Sequence, residues 1–125
     1  MALGSYTKHN QQRTTYVFTP SSYDTDLTMD GTAQGVALAS DVAVIRIVNR
    51  GATTEGIRVA FGTSETDAEG NLTISAGAAT TGLFIPSPAD GDGTVLLGVP
   101  ATATHYAIAN DTASDVQIVS VTQGV

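Results

Sequence analysis

Along "DVAVIRIVN" (41–49) apolar side chains fill both alternating sets of positions. Ala43, Ile45 and Ile47 oppose Val42, Val44 and Val48, and Arg46 is the one charge between the ends. A strand covered on both faces reads this way, so 41–49 is predicted as a central strand. The polar, glycine-bracketed "RGATTEG" (50–56) leads to "IRVAF" (57–61), in which Ile57, Val59 and Phe61 alternate with Arg58. The two strands are expected to form a hairpin, with Arg46 and Arg58 pointing outward from neighbouring strands. Further short strands are predicted at "LTIS" (72–75), with Leu72 and Ile74 inward, and at "LFIP" (83–86), "TVLLGV" (94–99), "THYAIAN" (104–110) and "VQIVSVT" (116–122). "GTSETDAEGN" (62–71) is expected to be an acidic loop.

The N-terminal third has a weaker pattern. Residues 1–15 are polar and read as an extended arm, and "TTYVFTP" (14–20) is a short β-prone piece ended by Pro20. Residues 21–38 read as a loop with at most one short strand. The expected division is an arm and loop over 1–40 and a β-domain over 41–125. No apolar stripe at helical spacing persists beyond a turn or two. The predicted class is all-β: a single antiparallel β-sandwich, jelly-roll or Ig-like, of about seven or eight short strands behind an extended N-terminal arm. "IVNRGATTEGIRV" and "IANDTASDVQIVS" align without gaps, Ile47 with Ile108, Asn49 with Asn110 and Ile57 with Ile118, suggesting two hairpins of like design.

Composition agrees: thirteen glycines stand among many Thr, Val, Ala and Ser, and the helix-surface residues Lys, Glu and Leu are scarce. The length of 125 residues suits one domain that buries a core without staples. With no cysteine, disulfides, thiolate metal sites and cysteine nucleophiles are excluded. The first residues lack the apolar core of a secretory signal, and no run approaches a membrane span. A chain that is neither exported through a cleaved signal nor held in a membrane is expected.

Charge is divided along the chain. All five bases, Lys8, Arg13, Arg46, Arg50 and Arg58, lie in the first 58 residues beside five acids; the remainder holds seven acids and no base. The net charge of −7 disfavours phosphate backbones, so nucleic acid is not an expected partner. The mildly basic segment 1–23 is instead suited to an acidic neighbour, including another copy of the chain.

Catalytic patterns are missing. The sequence holds neither a G-x-S-x-G elbow nor a phosphate-binding glycine loop. The two histidines, His9 and His105, are too few for a zinc site of usual spacing, and His105 reads as a surface or interface residue. Asp90 and Asp92 in "DGDGT" are the best metal candidates, but the later ligands of a calcium loop are absent and a turn explains them better. No enzyme, cofactor or small-molecule substrate is expected. The aromatics Tyr6, Tyr16, Phe18 and Tyr23 gather near the N-terminus, where they suit anchors for a partner surface.

At "VAVIRIVNRGATTEGIRVAFGTS" and the closing "ATHYAIANDTASDVQIVSVTQG", the chain resembles small virion proteins of tailed bacteriophages, the capsid decoration (cement) and minor head proteins. The resemblance covers about residues 41–125 and is carried by Val44–Gly51, Ile57–Gly62 and the strand pair from Tyr106 to Gly124. It implies a β-sandwich on the surface of a capsid assembled in the host cytoplasm. The partners it implies are the major capsid protein and other copies, as a homodimer or homotrimer. Tyr6, Lys8, Arg13, Tyr16, Phe18, Arg46 and Arg58 are the candidate contact residues. The alternatives are a neck, tail or fibre-base component, or a sandwich that binds glycans or a host surface.

Overall fold

The computed structural model describes residues 20–50, 56–87, 93–112 and 117–124. Ten strands and one short helix occur there: β1 (Pro20–Met29), β2 (Gln34–Ala37), β3 (Val44–Asn49), β4 (Ile57–Gly62), α1 (Glu65–Gly70), β5 (Ile74–Ser75), β6 (Ala78–Ala79), β7 (Leu83–Ile85), β8 (Thr94–Gly98), β9 (His105–Asn110) and β10 (Gln117–Gly124). Two four-stranded antiparallel sheets run in the orders β1-β10-β3-β8 and β2-β9-β4-β7, and β5 pairs with β6 alone. The all-β expectation holds at this level.

One core cluster draws on both large sheets: Leu27, Met29, Ile45, Ile47, Val119 and Val121 from the first, and Ile57, Val59, Ile85, Tyr106 and Ile108 from the second. Alternation explains the faces. In β3, Ile45 and Ile47 are buried and Arg46 is exposed; in β4, Ile57 and Val59 are buried while Arg58 is half-buried on the other side. β3 lies between β10 and β8, the central position its doubly apolar pattern predicts.

The expected hairpin does not form. β3 and β4 lie in different sheets, as do β9 and β10, so each pair is a crossover. Alternation states which face of a strand is apolar; it does not name the strand's neighbour. β3 ends at Asn49 and β4 begins at Ile57, a longer connection than the two-residue loop that most strongly signals a hairpin. Arg46 and Arg58 are therefore on separate sheets, not on adjacent strands.

Residues 20–40 supply one strand to each large sheet, where a loop with at most one short strand was expected. β1 has only Leu27 and Met29 as buried apolar positions among its described side chains, and β2 runs through a glycine, so both patterns are faint. Pro20 opens β1 at a sheet edge, where a missing N–H is tolerated.

The likeness between "IVNRGATTEGIRV" and "IANDTASDVQIVS" extends well beyond one crossover. The run β1-β2-β3-β4 corresponds strand for strand to β7-β8-β9-β10. The register of β4 on β9, from Ile57↔Asn110 to Gly62↔His105, is repeated by β10 on β3, from Val119↔Asn49 to Gly124↔Val44. Loop hydrogen bonds repeat as well. Val42 N–H donates to Ala39 C=O at 3.2 Å, as Ala103 does to Pro100 at 3.0 Å. Arg50 N–H donates to Ile118 C=O at 2.8 Å, as Asp111 does to Gly56 at 3.1 Å. The structural counterpart of Ile57 is thus Val119, one residue past the ungapped alignment, and Ile118 faces out.

The insertion between β4 and β7 breaks this correspondence. α1 and the β5–β6 hairpin cover the outer face of the second sheet, forming a small core of Ala68, Leu72, Ala79, Ala107 and Ala109 with Ala33 and Ala60 beside it. A helix stands where an acidic loop is expected. Its start is nonetheless written in "SETD": Ser64 Oγ accepts from Asp67 N–H at 3.0 Å, and Asp67 Oδ2 accepts from Thr63 N–H at 2.8 Å. Of the predicted strand 72–75 only Ile74–Ser75 is strand; Leu72 is buried but Ile74 is exposed.

Candidate interaction surfaces

The two large sheets present different outer faces. On the second sheet, Gly62 lets the helix approach so closely that a Cβ there would lie 2.3 Å from the Ala68 nitrogen. The first sheet has no such cover among the described residues. Its outer face carries Leu96 (48% exposed), Ile118 (43%) and the exposed Arg46, which is flanked in register by Thr122 and Leu96. Gly98 leaves a notch beside them: a Cβ there would meet nothing within 4 Å. With Ala43, Val44 and Leu96 it bounds an apolar cavity of about 280 Å³.

Arg58 is engaged within the chain. Its Nε donates to Asp111 Oδ1 at 2.6 Å, its Nη1 donates to Gly82 C=O at 3.0 Å, and its guanidinium lies 5.4 Å from the Phe84 ring centroid. A strand arginine is thus paired here with a carboxylate of the same chain. The exposed pair Arg50–Asp26, at 3.2 Å, ties the β3 exit to β1, and Ser120 Oγ donates to the same carboxylate at 2.7 Å.

A larger cleft of about 580 Å³ opens at one end, between residues 38–43 and 99–104. These two crossovers are counterparts of each other, and the residues lining the cleft are all uncharged. His105, half-buried on β9, shares a 2.8 Å hydrogen bond with Thr104 Oγ1. Among the described residues no group of three or more His, Asp and Glu is placed to hold a metal. Tyr6, Lys8, Arg13, Tyr16 and Phe18, like Asp90 and Asp92, lie outside the described residues. Of the predicted contact residues Arg46 and Arg58 are described, and they stand on separate sheets. The feature that sequence reasoning missed is the β8 edge; its signal was the uncharged run "TVLLGV", read only as a strand.

Comparison with known proteins gives no relative. The chain matches no family model, no curated protein and no solved structure.

Proposed function

We propose that this protein is a structural component of a tailed-bacteriophage virion, decorating the capsid surface and cementing neighbouring capsid subunits, and that it acts by binding and not by catalysis. The observation that carries the reading is the strand order. Taken as an eight-stranded body, β1-β10-β3-β8 and β2-β9-β4-β7 follow the order of a double-sheet jelly roll, an architecture used in viral capsid domains. An Ig-like sandwich fits less well, because here consecutive strands alternate between sheets except from β4 to β7. The resemblance of residues 41–125 to decoration proteins supports the same assignment. In this reading the major capsid protein and other copies are the partners, and Arg46 with the basic N-terminal segment meets an acidic neighbour.

The test is sedimentation of the purified protein with assembled capsids that lack it. Saturable binding at a copy number matching the capsid subunits is the expected result. No co-sedimentation overturns the proposal, and a copy number of a single ring assigns the protein to the neck or tail. Jelly rolls also serve as lectins; a glycan array reads out that alternative directly.

A further inference from the structure

The two large sheets have four edges, and three are guarded against strand addition. β1 opens with Pro20 and carries the exposed Asp26. β2 is four residues long, and Gly35 N–H donates to Glu69 Oε2 of α1 at 2.9 Å. β7 has three residues and is followed by Pro86. Shortness, proline, charge and cover are the usual protections of an edge. β8 has none of them among the described residues: "TVLLG" is five residues without charge or proline, and there it has a strand neighbour on one side only. Val95 and Leu97 are half-buried against the core on its inner side, and Leu96 is half-exposed on its outer side.

We infer that β8 accepts a strand from the N-terminal segment Thr14–Thr19 of a second copy of this chain. The inference rests on the proposed self-association and does not depend on the capsid. Thr-Thr-Tyr-Val-Phe-Thr is wholly β-branched or aromatic, the composition of a strand. Paired on β8, it sets Tyr16 and Phe18 beside Leu96 and the Gly98 notch, with Val17 alongside Val95 and Leu97. Main-chain hydrogen bonds supply affinity, and the notch selects the aromatic face. Charge agrees: residues 1–23 hold Lys8 and Arg13 and no acid, against three bases and twelve acids in the rest.

Chain length decides which copy donates. Pro20 pairs with Gly124, Gly124 with Val44, and Val44 with Gly98, so β1 and β8 are opposite edges of one sheet. At a strand spacing of about 4.8 Å, a strand beyond β8 lies roughly 19 Å from Pro20. Val17, three residues away, reaches at most about 11 Å. The segment 14–19 of the same chain therefore falls short, and a neighbour's does not.

The absence of native cysteine makes a cross-linking test clean. Full-length Tyr16→Cys and Leu96→Cys proteins are mixed and oxidised, with Leu83→Cys on the β7 edge as control. A Tyr16→Cys/Leu96→Cys heterodimer, absent with Leu83→Cys, is expected. In sedimentation, Leu96→Lys and Phe18→Asp each weaken self-association at least roughly tenfold, about 1.4 kcal/mol, while the melting temperature of the diluted, monomeric chain is unchanged. A wild-type chain that stays monomeric, equal cross-linking to Leu83→Cys, or association indifferent to Leu96→Lys overturns the inference. Self-association through β8 without capsid binding would sink the virion reading alone; capsid binding by a monomer would sink this inference alone.

Discussion

Arg58 shows how much one side chain holds when it is half-buried. It joins β4 to Asp111 at the end of β9, to the Gly82 carbonyl and to Phe84 of β7. Only about a quarter of either ionic side chain is exposed, so solvent screens the pair less than a surface pair, and removing the arginine strands Asp111. Arg58→Ala is expected to cost about 1–2 kcal/mol. At this chain length that lowers the melting temperature by roughly 3–6 °C per kcal/mol, read by circular dichroism. Arg58→Lys should recover little, because an ammonium cannot reproduce the two separate guanidinium bonds. Two glycines give an opposed pair of expectations. Gly62→Ala drives a methyl into the helix backbone and should destabilise by about 1–3 kcal/mol. Gly98→Ala enters open space on the first sheet's outer face and should stay within about 0.5 kcal/mol of wild type. Equal effects at both sites would refute the contrast between a covered and an open face.

At the scale of elements, α1 is too short to stand alone, and its stability comes from its cap and from what lies beneath it. Ser64→Ala removes the oxygen that accepts from Asp67 N–H and is expected to cost about 1 kcal/mol. Hydrogen exchange should accelerate at Ala68 and Asn71 while amides of β3 and β10 keep their protection; uniform acceleration would mean the helix is part of the global folding unit. The same elements show what the sequence exposes and what it hides. β3, β4, β8 and β9 were legible because each is a β-prone apolar run over several positions, filled on both faces in β3 and alternating about Arg58 in β4. β1 was hidden because an edge strand with solvent on one side needs few apolar residues, and Leu27 and Met29 suffice. The helix start has its signal in "SETD", but six residues are too few to show an apolar stripe at helical spacing. The crossovers were hidden for a different reason: partner choice depends on contacts far along the chain, and alternation is local. The candidate surface was less legible still. An edge becomes a feature only once the other three edges are seen to be guarded.

For the whole molecule, the decisive feature is how its two corresponding halves interlock. β1 to β4 come from the first half and β7 to β10 from the second, yet every pairing in the two large sheets joins a strand of one half to a strand of the other. β1 and β3 both pair with β10, β3 also with β8, β2 and β4 both with β9, and β4 also with β7. Neither half holds a main-sheet ladder of its own, so neither can satisfy its strand backbone alone. The exposed turn at Ala76–Gly77, where both residues take positive φ, is the natural place to divide the chain, because it cuts only the two-residue β5–β6 hairpin. Fragments 1–76 and 77–125 should each lack a cooperative thermal transition at micromolar concentration. Mixed in equal amounts, they should regain the strand signal and melt in one concentration-dependent transition, since association is then part of folding. Refolding of the intact chain should be slow for its size, because every main ladder closes a long loop. A fragment that melts cooperatively as a monomer would show that one half carries its own core, and the interlocked description would fail.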